Sequence, residues 1–166
     1  MNAIRLYRLG RWFYERHVPL VPTLIYYLIF LIYNSSIPLS AEIGEGTCFG
    51  YGGMGVVLHH QCRIGKQVLI AQQVTLGGRS RLPGAPVIED NCFLGPGAKI
   101  LGPIRIGEGC IVGANAVVIR DAPPRSVLAG VPARIIRSDI HTEDYFSWED
   151  AAPPDREHAV RSRAAL

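Results

Sequence analysis

The chain has 166 residues, 48% hydrophobic and 19% charged, with a formal net charge of +3. That length supports one domain with a real core. No basic run interleaved with aromatics and no known nucleic-acid motif occurs, which sets nucleic acid aside as a partner. The charge is uneven: residues 1–137 hold 14 Lys and Arg against 7 Asp and Glu, and residues 138–166 hold 3 against 7. A basic body suits a polyanionic ligand, and ordinary solubility charge accounts for it equally well.

Three regions follow in chain order: an N-terminal part (1–42), a repetitive body (43–136) and a polar tail (137–166). The N-terminal part opens with a basic, aromatic stretch containing Arg5, Tyr7, Arg8, Arg11, Trp12, Phe13, Tyr14 and Arg16. An apolar run from Val18 to Tyr33 follows, helical from Thr23 until Asn34-Ser35-Ser36 ends it. Its sixteen residues with two prolines are short of the ~20 a membrane span needs. The charged lead and the lack of a small-residue cleavage site argue against a signal peptide. Two readings remain for residues 5–33: a cap on the end of the body and its oligomer, or a peripheral contact with a membrane interface.

From Ile43 to Val118 an aliphatic anchor recurs with a six-residue period: Ile43, Phe49, Leu58, Ile64, Ile70, Leu76, Ile88, Leu94, Ile100, Ile106, Val112 and Val118. A small or β-branched residue stands four places after many anchors, among them Thr47, Cys62, Val68, Val74, Cys92, Ala98, Cys110 and Ala116. This period matches neither a helix nor a simple strand alternation. It predicts an all-β solenoid, a parallel β-helix with one short strand per hexad and three hexads per triangular coil, in about four coils. Glycines after the anchors are expected to permit the corners. Two inserts interrupt the period, Gly55–Val57 and Arg79–Val87, the second projecting as a loop on the face where solenoids often bind ligands.

Cys62, Cys92 and Cys110 fall on the small inward position and read as core filler. With no CxxC spacing, a zinc site or redox pair has little support, and no metal is expected. Unpaired buried thiols favour a reducing compartment, the cytosol. The acidic tail from Ser138 is expected to lack stable structure, with Tyr145, Phe146 and Trp148 able to dock one short segment.

Residues 50–137 carry further motifs: GlyMetGlyValVal (53–57), ValThrLeuGlyGly (74–78), GlyProGlyAlaLysIleLeuGly (95–102), IleGlyGluGlyCysIleValGlyAlaAsnAlaValVal (106–118) and AlaGlyValProAlaArg (129–134). The span from 50 to 137 is about half the chain, and on these motifs it resembles the hexapeptide-repeat acyltransferases, closest to the serine acetyltransferase branch. The resemblance implies a homotrimer of left-handed β-helices that binds acetyl-CoA between subunits and transfers acetyl to a hydroxyl. Carried over by position, cofactor contacts fall on Gly77, Gly78, Pro96, Gly97 and Ala114, with Arg120 or Arg134 near phosphates. The branch also implies an Asp–His pair and a His before a loop proline. Here those places hold Ser36, Tyr51 and Ala85.

His59 and His60 are the only histidines in the solenoid, which makes one of them the candidate base. Glu42 or Glu45 is a candidate to orient the imidazole, and Tyr51 a candidate contact to the acceptor. The three departures and the short apolar head favour a saccharide hydroxyl as acceptor, on capsule, exopolysaccharide or lipid-linked glycan, at the inner face of the membrane. L-serine acetylation in cysteine biosynthesis is the alternative, and a non-catalytic trimeric scaffold is a third reading.

Overall fold

A computed structural model describes residues 2–145. Twelve two- or three-residue strands wind into a parallel β-helix with three faces. The first face stacks β1 (Glu42–Ile43), β4 (Arg63–Ile64), β7 (Val87–Ile88) and β10 (Arg105–Ile106). The second stacks β2 (Cys48–Phe49), β5 (Leu69–Ile70), β8 (Phe93–Leu94) and β11 (Ile111–Val112). The third stacks β3 (Val57–Leu58), β6 (Thr75–Gly77), β9 (Lys99–Leu101) and β12 (Val117–Val118). Four strands per face make four coils, as the period predicts. All twelve anchors are buried, and so are the eight small residues four places later. Each register pairs anchor with anchor, for example Ile70 with Leu94 and Leu94 with Val112.

The corners work differently from the expectation. Left-handed backbone recurs at two of the three, and side-chain-bearing residues share it: Gln67, Asn91 and Arg125 at the first corner, Gln73 and Asn115 at the second. Gly44, Gly65, Gly95 and Gly107, each directly after an anchor, answer to space instead. A Cβ on Gly95 would stand 2.7 Å from the Val112 carbonyl oxygen and 2.8 Å from the Ala114 nitrogen, both backbone of the next coil.

The solenoid is closed at both ends. At the N-terminal end α1 (Ala3–Glu15) and α2 (Val21–Tyr33) form a helical hairpin. Helix α1 was not expected from the basic, aromatic stretch. The Asn2 side chain caps it by accepting from the Ile4 N–H at 3.1 Å. Ala3, Tyr7 and Gly10 form its buried edge. Its arginines reach the first coil: Arg8 donates to the Ile43 and Gly44 carbonyls, and Arg11 to those of Leu39 and Ala41. Helix α2 begins two residues before the expected start because Pro22 is tolerated in a first turn. Asn34 ends it in left-handed conformation.

Both inserts shift. The first occupies the Gly50–Gly53 3-10 turn and the residues before β3, and Val57 belongs to the strand. The loop after β6 ends at Pro86, because Val87 starts β7. At the C-terminal end β13 (Val127–Gly130) joins the second face and β14 (Ala133–Arg137) pairs antiparallel to it. The start of the tail is ordered, contrary to expectation. Ile140 packs with Ile111 and Val127, and Thr142 Oγ1 donates to the Gly109 carbonyl at 2.9 Å. Tyr145 is exposed, its hydroxyl accepting from Arg137. Phe146 and Trp148 lie outside the described residues.

Candidate active site

His59 and His60 follow β3 at the third corner, the one from which the long loop leaves. The His59 N–H donates to the Leu76 carbonyl at 2.8 Å, and its own carbonyl accepts from the Cys62 N–H at 3.0 Å. Ser40 Oγ holds the His60 carbonyl at 3.0 Å. The two imidazoles lie against each other, centroids 4.3 Å apart with planes tilted by 32°.

Their nitrogens are not equivalent. His59 Nδ1 accepts from the Gln61 N–H at 3.2 Å, so in the neutral ring the proton sits on Nε2. His59 Nε2 and Cδ2 stand 3.7 Å from the point a Gly78 Cβ would occupy, with the Gly84 carbonyl oxygen 3.8 Å from the same point. The missing side chain at Gly78 therefore leaves room beside the Nε2 edge, next to the loop. Desolvation, then the charge of His60, holds the His59 pKa below the ordinary imidazole value. His59 is thus a neutral donor at physiological pH. His60 is exposed and its ring stacks on that of His59.

This gives a test independent of turnover. In an NMR titration of the folded protein, His59 is expected to protonate at a pH below 6.5 and to show the Nε2–H tautomer above it. His60→Gln removes one lowering influence, so the midpoint should move upward. A midpoint at or above the free-imidazole value would contradict the described environment.

The other candidates divide between two corners. Gly77 and Gly78 adjoin His59. Arg120 and Arg134 line one cavity of about 280 Å³ with Asp121, Leu128 and Ile135. Neither guanidinium makes a hydrogen bond or ion pair among the described residues. Pro96, Gly97 and Ala114 sit instead at the second corner, where the Gly97 N–H donates to the Gln72 carbonyl and the Asn115 N–H to that of Pro96. Tyr51, in the 3-10 turn leaving β2, is 82% exposed near that corner. Within one chain the third face separates the two groups. Gln72, which the sequence reading did not single out, belongs to the second corner, and its Oε1 is buried without a hydrogen bond among the described residues.

The carboxylates proposed to orient the base do not pair with it. Glu42 pairs with Arg63 at 3.4 Å, and Glu45 lies at the first corner. Ser36 Oγ is 3.0 Å from the Tyr26 hydroxyl, and Ala85 packs against the core. Among the described residues no group of three or more His, Cys, Asp or Glu is placed to hold a metal.

Residues 85–120 match the family model for the bacterial transferase hexapeptide (six repeats). The serine acetyltransferase of Synechococcus elongatus is 35% identical over 162 residues, 96% of this chain and 65% of that protein. The serine acetyltransferase of Bacillus subtilis is 34% identical over 87% of this chain and 70% of its own length. The chain belongs to the serine acetyltransferase family. A solved serine acetyltransferase in complex with CoA superposes with a TM-score of 0.73 at 34% identity, over 81% of this chain and 55% of that one. The parallel β-helix expected from the hexads, left-handed as the resemblance implied, is therefore the fold. The chain spans about two thirds of the curated relatives it matches, and about half of the solved one.

These matches overturn the saccharide acceptor. That expectation leaned on the departures at Ser36, Tyr51 and Ala85 and on the short apolar head, taken as a mark of glycan-modifying forms. The match to the Synechococcus serine acetyltransferase covers 96% of the chain, so it runs through nearly all of that head. An apolar N-terminal hairpin therefore does not separate this chain from serine acetyltransferases.

Proposed function

We propose that this protein is an acetyl-CoA-dependent O-acetyltransferase whose acceptor is L-serine, acting in cysteine biosynthesis. The observation that carries the reading is identity of about a third with serine acetyltransferases over most of the chain, together with a stacked histidine pair beside Gly77 and Gly78. Its place is the cytoplasm, which suits four free thiols, Cys62 and Cys92 being buried with pKa values pushed up to about 12.

Acetyl-CoA would supply an activated acyl thioester. His60, whose ring nitrogens make no hydrogen bond among the described residues, takes the proton of the acceptor hydroxyl as its oxygen attacks the acyl carbon. His59, with Nδ1 occupied, offers its Nε2–H to the negative charge that develops on the carbonyl oxygen. The protonated His60 then returns its proton to the leaving thiolate sulfur. Gly77 and Gly78 leave the long pantetheine arm room beside the histidines, and Arg120 and Arg134 are unpaired cations for its phosphates. Tyr51, Pro96, Gly97 and Ala114 belong to the same groove if a second copy's second corner meets the third corner. A homotrimer makes that junction three times. The split of the candidates over two corners supports this assembly.

The test is thiol release from acetyl-CoA by the purified protein with L-serine. Serine-dependent release supports the proposal. CoA binding with no release under any serine concentration overturns the acceptor, and absence of CoA binding favours a non-catalytic scaffold. The arginine assignment makes its own prediction: Arg120→Ala with Arg134→Ala should raise KM for acetyl-CoA roughly 10-fold or more, as expected for charge-assisted bonds, with kcat nearly unchanged. A fall in kcat at constant KM would place the phosphates elsewhere.

A further inference from the structure

The N-terminal hairpin carries an apolar surface that nothing among the described residues covers. Leu20, Leu24, Tyr27, Leu28 and Leu31 recur at helical spacing along the outside of α2, and Leu31 is 76% exposed. The opposite edge of α2, Ile25, Ile29 and Tyr33, already fills the core. Helix α2 holds no charged residue. A continuous exposed apolar stripe of this kind marks an interaction surface.

Charge decides between occupants. Residues 2–41 contain Arg5, Arg8, Arg11 and Arg16 and one acid, Glu15, which is spent on Arg11 at 2.7 Å. The Arg16 guanidinium lies 3.8 Å over the exposed Trp12 ring. Arg8 and Arg11 are held by main-chain carbonyls of residues 39–44, and a symmetric contact between two hairpins offers no acid of residues 2–41 to the two that are left, Arg5 and Arg16. Anionic headgroups would complement them while acyl chains cover the leucines. No helix among the described residues is long and apolar enough to cross a membrane, and a 13-residue helix exposed along its whole length suits the plane of the interface. We propose that the hairpin docks on an anionic lipid surface, with α2 lying in the interface and Arg5 and Arg16 at headgroup level. The proposal is independent of the acceptor.

The experiment is flotation of the full-length protein with vesicles of phosphatidylglycerol and phosphatidylcholine, beside pure phosphatidylcholine, with the oligomeric state followed by light scattering. The expected result is flotation on the anionic vesicles only, abolished by 1 M salt used to screen charge, a screen that leaves a Debye length of about 3 Å. Two sets of exposed variants probe the two contributions. Leu24→Ser with Leu31→Ser should lower partitioning by about 10-fold or more. Arg5→Gln with Arg16→Gln should lower it by roughly fivefold per arginine. Because these side chains are exposed, folding and thiol release should persist. Failure of the wild-type protein to float on anionic vesicles overturns the proposal, as does flotation unchanged by both pairs. Dissociation of the oligomer by Leu24→Ser with Leu31→Ser, with no flotation of wild type, would show that a second copy covers the face.

Discussion

His60→Ala is expected to lower kcat by about 10²–10⁴-fold, the range that general-base assistance contributes. The reason lies in the tautomer. His59 Nδ1 is engaged by the Gln61 N–H, so the neutral His59 ring has no free acceptor nitrogen, whereas the His60 ring does. His59→Ala should cost about 10²–10³-fold, as removal of one donor to developing charge does. Steady-state kcat of both variants checks this. A larger loss of kcat in His59→Ala than in His60→Ala would reverse the two roles.

Gly95→Ala should be strongly damaging at the contact between the third and fourth coils, costing about 3 kcal/mol by the usual penalty for overpacking. The added Cβ meets only backbone of the next coil at 2.7–2.9 Å, and that backbone is held by the Gly95 N–H donating to the Val112 carbonyl at 2.7 Å. Neither atom can swing aside as a side chain could. Gly50→Ala is the control: its Cβ would find the Ala71 Cα at 3.4 Å and the Ile70 carbonyl at 3.7 Å, an ordinary contact, so its cost should stay below about 1 kcal/mol. Urea unfolding of the two variants measures the difference. Equal costs would mean that the coils separate more easily than their spacing implies.

The solenoid was legible because each hexad commits one large inward aliphatic and one small inward partner, a pattern that no helix or flat sheet reproduces. The glycines were legible as recurring but misread in cause. Sequence spacing suggests backbone freedom, whereas contacts between coils show that Gly95 is excluded from being larger. Helix α1 was missed because its buried edge is only Ala3, Tyr7 and Gly10, hidden among arginines. Those arginines turn out to bind main-chain carbonyls of residues 39–44, long-range contacts that no local pattern announces. The histidine pair was found as a pair, because no other histidine falls within the repeats. Which ring holds the free acceptor depends on one backbone N–H, that of Gln61, and such a bond appears only in three dimensions. The acceptor was misjudged because three single-residue departures, Ser36, Tyr51 and Ala85, and a short apolar head were read as marks of a different acceptor, when nearly the whole chain lies within the matched length of a serine acetyltransferase.

The most direct measurement is free thiol released from acetyl-CoA by the full-length protein, with and without L-serine, for wild type and His60→Ala. Serine-dependent release in wild type that collapses in His60→Ala is the predicted result. Release with L-serine that is undiminished in His60→Ala would contradict the proposed base, and no serine-dependent release from a CoA-binding protein would contradict the proposed acceptor.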